Sequence, residues 1–135
     1  MKIIVCLDDK DGMSFNGRRQ SMDRNLRKRI LQMTKGNTLW MNEYTAQQFD
    51  ELESHVAVNE DFLELAQDND FCFLENPDIS PYISRINTLI IYRWNRIYPR
   101  DVCFPVALFS HLNKVQSCDF AGSSHDSITE EVYLL

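Results

Sequence analysis

Thr88-Leu-Ile-Ile-Tyr92 is an apolar run typical of a buried strand, and together with the residues after it this run decides the predicted fold. After a charged segment over residues 93–101, the Phe104-Pro105 pair indicates a short edge strand. A strand around Lys114–Phe120 and another over Ile128–Tyr133 flank the turn Ala121–His125. The stretch therefore predicts a buried strand followed by an antiparallel hairpin.

Upstream of this stretch, strand-like and helix-like segments alternate. The first strand, Lys2–Leu7, is rich in Ile and Val and alternates little, as in a strand buried on both faces at the centre of a sheet. A helix is predicted from a cap at Ser21 or Asp23, and another runs from Ala46 toward Glu53 with Thr45 as its cap. Alternating strands and helices predict βαβ units. The fold class is therefore α/β, a three-layer sandwich whose mostly parallel central sheet ends in antiparallel C-terminal strands.

Length and composition predict one globular domain over residues 1–135. The apolar share of 44% and the charged share of 25% are near the averages for soluble domains. The apolar run at the N-terminus is too short for a signal peptide or a membrane span, so a cytoplasmic location is predicted. The four cysteines lack C-x-x-C spacing and suit buried, reduced thiols. A net charge of −6 argues against a broad nucleic-acid surface.

The order of these segments resembles the dihydrofolate reductase family. The resemblance is best near the C-terminus, where Leu89–Tyr92, Phe104-Pro105 and Thr129–Tyr133 follow one another as the family's strands do. Asp11-Gly12 resembles the start of the family's mobile active-site loop, and Leu39–Thr45 resembles its strand that ends in Met-Gly-Arg. The resemblance implies a divergent, trimmed version of that fold.

The same resemblance implies that the family's chemistry is missing. Leu26 stands where the family has its catalytic carboxylate, and a leucine can neither bind nor protonate a pterin ring. Asp23, one turn earlier, is the only nearby substitute. Glu75-Asn76-Pro77 replaces the Gly-Gly pair whose backbone cradles the pyrophosphate of NADPH, and Glu43 replaces a phosphate-contacting Arg. The resemblance therefore implies the scaffold without reductase activity and without a cofactor.

A second resemblance concerns Arg18-Arg-Gln-Ser21, Tyr92–Arg96 and Phe120–His125, which are similar to segments of a small bacterial family automatically named ribonuclease Z. That enzyme class is a two-zinc hydrolase that needs a His-x-His-x-Asp-His run. This chain has three histidines, which lie far apart in the sequence: His55, His111 and His125. No metal site is therefore predicted.

Polar residues near strand ends are the candidates for ligand binding, because the ligand crevice of an open α/β sheet lies at such ends. The candidate ligand-binding residues are Arg18, Arg19, Gln20, Asn42, Arg93, Asn95 and Arg96. Salt bridges are the alternative use of the arginines. The candidate catalytic residues are Asp23 and His125, with helix capping and a plain turn as their respective alternative roles.

Three functions remain open from the sequence. The first is a non-reductase that binds a small-molecule or nucleotide ligand, or a partner, in the residual cleft. The second is a zinc-independent enzyme acting on RNA or nucleotides through Arg18, Arg19, Asp23 and His125. The third is a structural or interaction module that forms a homo-oligomer through its C-terminal edge strands. No membrane partner is predicted.

Overall fold

A seven-stranded sheet forms the centre of the computed structural model, which describes all of residues 1–135. Its strands are β1 (Lys2–Leu7), β4 (Leu39–Met41), β5 (Val56–Val58), β6 (Phe71–Phe73), β7 (Thr88–Arg93), β9 (Asn113–Phe120) and β10 (Ile128–Leu134). The order across the sheet is β5-β4-β6-β1-β7-β10-β9. The first five of these are parallel, while β10 runs antiparallel to both β7 and β9. The predicted α/β class with antiparallel C-terminal strands is confirmed.

A second, three-stranded sheet lies beside the first and contains β2 (Gly12–Phe15), β3 (Arg18–Arg19) and β8 (Val102–Cys103). The reductase resemblance placed the start of a mobile loop at Asp11-Gly12, and the sequence indicated an edge strand at Phe104-Pro105. Instead, Asn16 and Gly17 both adopt a positive φ, which makes the tight turn of a β2–β3 hairpin. The strand before Phe104 then pairs with β2 in this small sheet.

Helix α1 (Arg24–Met33) covers one face of the main sheet. Asp23 is its cap, because the Asp23 carboxylate accepts a hydrogen bond from the backbone N–H of Leu26. Leu26 and Ile30 form its buried stripe. The cap predicted at Asp23 is confirmed, whereas Ser21 lies outside the helix.

The two remaining α-helices are single turns, α2 (Glu43–Ala46) and α3 (Phe62–Leu65). The predicted helix from Ala46 to Glu53 is wrong, because the Asn42 side chain caps the chain three residues before Thr45 and the helix ends at Ala46. Leu52 lies beyond this helix and is 46% exposed. Short 3₁₀ helices cover Ser80–Arg85 and Val106–Leu108.

Two apolar cores lie on opposite faces of the main sheet. Ile3 and Val5 enter one core and Ile4 enters the other, because side chains alternate along a strand. All three side chains have no exposed surface, as expected for a central strand, and each such burial contributes about 1.5–3 kcal/mol. The cysteines are unpaired, but Cys103 is exposed and so differs from the buried thiol expected there.

Candidate functional site

The C-terminal ends of β1, β6 and β7 meet at the edge of the sheet where α/β proteins ordinarily hold a ligand. The cavity between these ends, called the strand-end cavity below, has a volume of about 10 Å³, enough for one water molecule. It is lined by Cys6, Met13, Arg19, Gln20, Ser21, Leu74, Glu75 and Trp94. A pterin or nicotinamide ring does not fit in this space.

An ion pair closes the strand-end cavity. Glu75, which follows β6 and is 9% exposed, accepts hydrogen bonds from Arg19 Nε at 2.9 Å and from an Arg19 terminal nitrogen at 3.0 Å. Gln48 Nε2 donates to the same carboxylate at 3.1 Å. The Arg19 guanidinium also lies 4.3 Å from the ring centre of Tyr44. The carboxylate and the guanidinium therefore satisfy each other, and neither is left for a ligand.

An open groove lies next to the strand-end cavity, between the β2–β3 hairpin and the loop after Trp94. Its volume is about 490 Å³, and we call it the hairpin groove. Its lining consists of Phe15, Asn16, Arg18, Arg19, Gln20, Tyr98 and Pro99. Phe15 is 40% exposed and Tyr98 is half-buried, so both present aromatic surface. Arg18 is exposed and forms no ion pair, so its guanidinium is the one charged group of the groove left without an internal partner.

A buried carboxylate positions the groove. Asp8 has no exposed surface and accepts from the N–H groups of Gly12 and Tyr98 and from Gln20 Nε2. Burial alone would raise the pKa of Asp8, but the hydrogen bonds outweigh it and lower that pKa. A Cβ on Gly12 would approach Asp8 Oδ2 to 2.7 Å, so a side chain there would have to displace this carboxylate. Asp8 thereby fixes Gln20 and Tyr98 on the groove wall.

Both candidate catalytic residues belong to one buried group, the His125 cluster, which contains Ser21, Asp23, Trp94, Tyr98 and His125. His125 Nδ1 lies 3.1 Å from Asp23 Oδ2. On the other side of the ring, His125 Nε2 lies 3.1 Å from Ser21 Oγ and 2.9 Å from the Tyr98 hydroxyl. Trp94 stacks on the imidazole with ring centres 4.5 Å apart. His125 is consequently only 5% exposed and fixed in orientation.

Asp23 is the anchor of this cluster. Its carboxylate accepts from the backbone N–H groups of Leu26, Ser123 and Ser124. Burial alone would raise the pKa of the Asp23 carboxyl, but the N–H groups of Ser124 and Ser123 and the His125 ring hold that pKa well below its usual range. Gly122 allows this approach, since a Cβ there would lie 2.5 Å from Asp23 Oδ2.

Other predicted ligand-binding residues hold the chain together elsewhere. Arg93 pairs with Asp11 and Glu131, and Asn42 caps α2. Asn95 has a positive φ and donates to the Ser127 carbonyl at 3.1 Å. Arg96 is exposed. The structure thus gathers Arg18, Arg19 and Gln20 in the hairpin groove and leaves Asn42, Arg93, Asn95 and Arg96 out of its lining.

Comparison with known proteins gives one kind of match. No protein-family model matches the chain, and no curated protein does. Among solved structures, a dihydrofolate reductase from Enterococcus faecalis, complexed with NADP(H) and RAB-propyl, superposes with a TM-score of 0.68 over 98% of this chain and 94% of that one. The fold is that of dihydrofolate reductase. At 16% identity the match establishes the scaffold alone.

Two residues that depart from the pattern of dihydrofolate reductases, Leu26 and Glu43, have structural roles on this dihydrofolate reductase-like scaffold. Leu26 is 2% exposed within the apolar core under α1. Glu43 is exposed at the first position of α2, where the positive end of a helical turn favours a negative charge. No group of three or more His, Cys, Asp or Glu side chains is arranged to hold a metal ion. None of the helices has the length and apolar character that a membrane span requires.

Ser21, Tyr98 and Asp8 were missed as site residues. Ser21 and His125 are separated by 104 positions, and Tyr98 and His125 by 27. No local spacing connects them, because the contacts form only when the turn between β9 and β10 packs on the N-terminus of α1. One sequence feature could have indicated Tyr98, namely the Tyr98-Pro99 pair near the end of the charged segment, because loops often carry binding residues.

Proposed function

We propose that this protein is a ligand-binding protein, without NADPH-dependent reductase chemistry, that holds a small aromatic anion in the hairpin groove. The observation that carries the proposal is Arg18, an unpaired guanidinium on the wall of a 490 Å³ groove that also contains Phe15 and Tyr98. A groove of this volume matches a small-molecule site. A phosphate or carboxylate would accept two hydrogen bonds from the Arg18 guanidinium.

The surroundings support an anion over a cation. Arg96 and Arg100 lie exposed on the loop that carries Tyr98, and neither forms an ion pair. Two carboxylates contact the groove lining, and both accept hydrogen bonds from it: Asp8 from Gln20 Nε2 and Asp101 from the Asn16 N–H. The three guanidinium groups of Arg18, Arg96 and Arg100 outnumber these two carboxylates and favour an anionic ligand, although the net charge of the protein is −6.

The solved reductase was complexed with NADP(H), and in this chain we place the ligand in the hairpin groove instead. The Arg19–Glu75 pair supports this placement, because the Glu75 carboxylate at the end of β6 repels a pyrophosphate. The side chains of Glu75 and Asn76 also take the space that a Gly-Gly pair would leave. The hairpin groove shares Arg19 and Gln20 with the strand-end cavity and lies outside it. The ligand site has thus moved outward from the strand ends.

Titration of phenyl phosphate into the protein, followed by calorimetry, tests the proposal. We expect saturable binding that Arg18→Ala weakens by about 10- to 100-fold, since a charge-assisted hydrogen bond contributes about 1.5–3 kcal/mol. Lys35→Ala, which removes one exposed positive charge beyond the far end of α1, is the matched control and should bind as the wild type does.

Two results would contradict the proposal. One is equal affinity of the wild type and Arg18→Ala for phenyl phosphate, or no saturation with either. The other is much tighter, Arg18-dependent binding of a short single-stranded RNA, which would favour the nucleic-acid alternative.

A further inference from the structure

The His125 cluster orders three side chains as Ser21 hydroxyl, His125 imidazole and Asp23 carboxylate. The two distances, Ser21 Oγ to Nε2 and Asp23 Oδ2 to Nδ1, are both 3.1 Å. In acyl-transfer enzymes the serine contacts one ring nitrogen and the carboxylate contacts the other, and this arrangement recurs on unrelated folds. A helix cap at Asp23 would explain the contact at Nδ1 but not the contact between Nε2 and the Ser21 hydroxyl.

The protonation of the cluster follows from its contacts. Nδ1 contacts both the Asp23 carboxylate and the Ser124 hydroxyl. Because a carboxylate whose pKa is held low accepts hydrogen bonds only, we assign the proton between Asp23 and His125 to Nδ1. In the neutral ring, Nε2 then carries a single lone pair. That nitrogen is ready to take the proton of a hydroxyl, and Asp23 serves as the positioning residue that fixes the tautomer.

Two hydroxyl groups compete for this one lone pair, those of Ser21 and Tyr98. When Ser21 donates to Nε2, the Tyr98 O–H has to find another acceptor. Tyr98 lines the hairpin groove, while Ser21 lines the adjoining strand-end cavity. The two voids adjoin, since both linings contain Arg19 and Gln20.

We infer that Ser21 is the nucleophile of a serine-dependent esterase site, with His125 as general base and acid and Tyr98 as donor to the oxyanion. The substrate class is a carboxylic ester that carries an aromatic, anionic portion. The choice of an ester with an aromatic, anionic portion rests on the proposed function, because the hairpin groove would bind that portion.

The reaction balances with water as its only co-reactant. Ser21 Oγ forms a bond to the carbonyl carbon as its proton passes to His125 Nε2, and the carbonyl oxygen becomes an oxyanion beside Tyr98. The bond from this carbon to the alcohol oxygen then breaks, and the alcohol leaves with the proton from Nε2. Water attacks the acyl-serine in the same way, giving the carboxylic acid and restoring Ser21.

A fluorophosphonate probe tests the nucleophile directly, since it forms a covalent adduct with an activated serine and needs no groove contact. Intact-protein and peptide mass spectrometry should find one adduct, on Ser21, in the wild type. Ser21→Ala should abolish the adduct, while Ser84→Ala, at an exposed serine of a 3₁₀ helix, should keep it. Ser21 is half-buried at the helix entrance. A thermal melt of Ser21→Ala checks that the variant folds.

Turnover of 4-nitrophenyl acetate tests the remaining roles. Tyr98→Phe should slow it by about 10²-fold in kcat, as loss of one oxyanion donor does, and Ser21→Ala should slow it more than Tyr98→Phe does. No Ser21 adduct under conditions that fully label a reference serine hydrolase would overturn the inference. Phenyl phosphate binding without a Ser21 adduct overturns only the esterase site, and a Ser21 adduct without phenyl phosphate binding overturns only the groove.

Discussion

Asp23→Ala is expected to destabilise the protein by about 3–5 kcal/mol, because the change removes the acceptor of a buried network. Three backbone N–H groups and the His125 ring lose their partner at a residue that is 2% exposed. The loss of the α1 cap is included in this figure and contributes about 1 kcal/mol of it. Urea unfolding followed by circular dichroism at pH 7 measures the difference.

The control and the pH dependence sharpen this prediction. Asp126→Ala removes an exposed carboxylate three residues beyond Ser123 and should change stability by less than about 0.5 kcal/mol. Since the folded pKa of Asp23 is held below the unfolded value of about 3.9, its contribution is fully present above that pH and is lost as the pH falls below it. The gap between wild type and Asp23→Ala should therefore narrow from pH 5 toward pH 2. A gap under 1 kcal/mol at pH 7 would contradict the anchoring role.

Leu26→Asp is expected to cost about 3–5 kcal/mol at pH 7, although it restores an acid where the reductase resemblance places one. Leu26 is 2% exposed and belongs to the apolar core that contains Ile4, Ile30 and Tyr92. A carboxylate there would have no partner, because Asp23 already accepts from the N–H at position 26. We expect no dihydrofolate reduction by this variant in a spectrophotometric assay.

The sign of the pH effect is opposite for this variant. Burial would raise the pKa of the new carboxyl above its unfolded value, so the penalty should be small at pH 3 and grow as the pH rises through about 4. Leu26→Met keeps the volume and the apolar character and should lose less than about 1.5 kcal/mol. Native-like stability of Leu26→Asp at pH 7 would show that the position opens to solvent or to a partner group.

The main sheet was predictable from the sequence because strands buried on both faces appear as continuous apolar runs. Lys2–Leu7 and Thr88–Arg93 lie at the centre of the sheet and carry this signature. The β2–β3 hairpin was missed, since β3 has two residues and its neighbours in the sequence are polar. The length of α2 was missed because capping by Asn42 or by Thr45 is equally compatible with the local pattern.

The candidate site was harder to predict because its contacts are distant in the sequence. Arg19 and Glu75 are 56 positions apart, and Ser123 and Asp23 are 100 apart. The arginine-rich residues 18–19 indicated a polar site but could not show which arginine finds an acid. Packing determines which arginine is paired. Arg19 points into the strand-end cavity and pairs with Glu75, while Arg18, on the opposite face of the same strand, forms no ion pair.

Calorimetric titration with NADPH tests most directly the central claim that this dihydrofolate reductase scaffold has closed its strand-end pocket with the Arg19–Glu75 pair. We predict no saturable heat of binding up to about 1 mM NADPH, a concentration at which a ligand of micromolar Kd would be fully bound. Saturable binding with a Kd in the micromolar range or below would contradict the claim, because it would require the ion pair to open and the 10 Å³ cavity to widen for the cofactor.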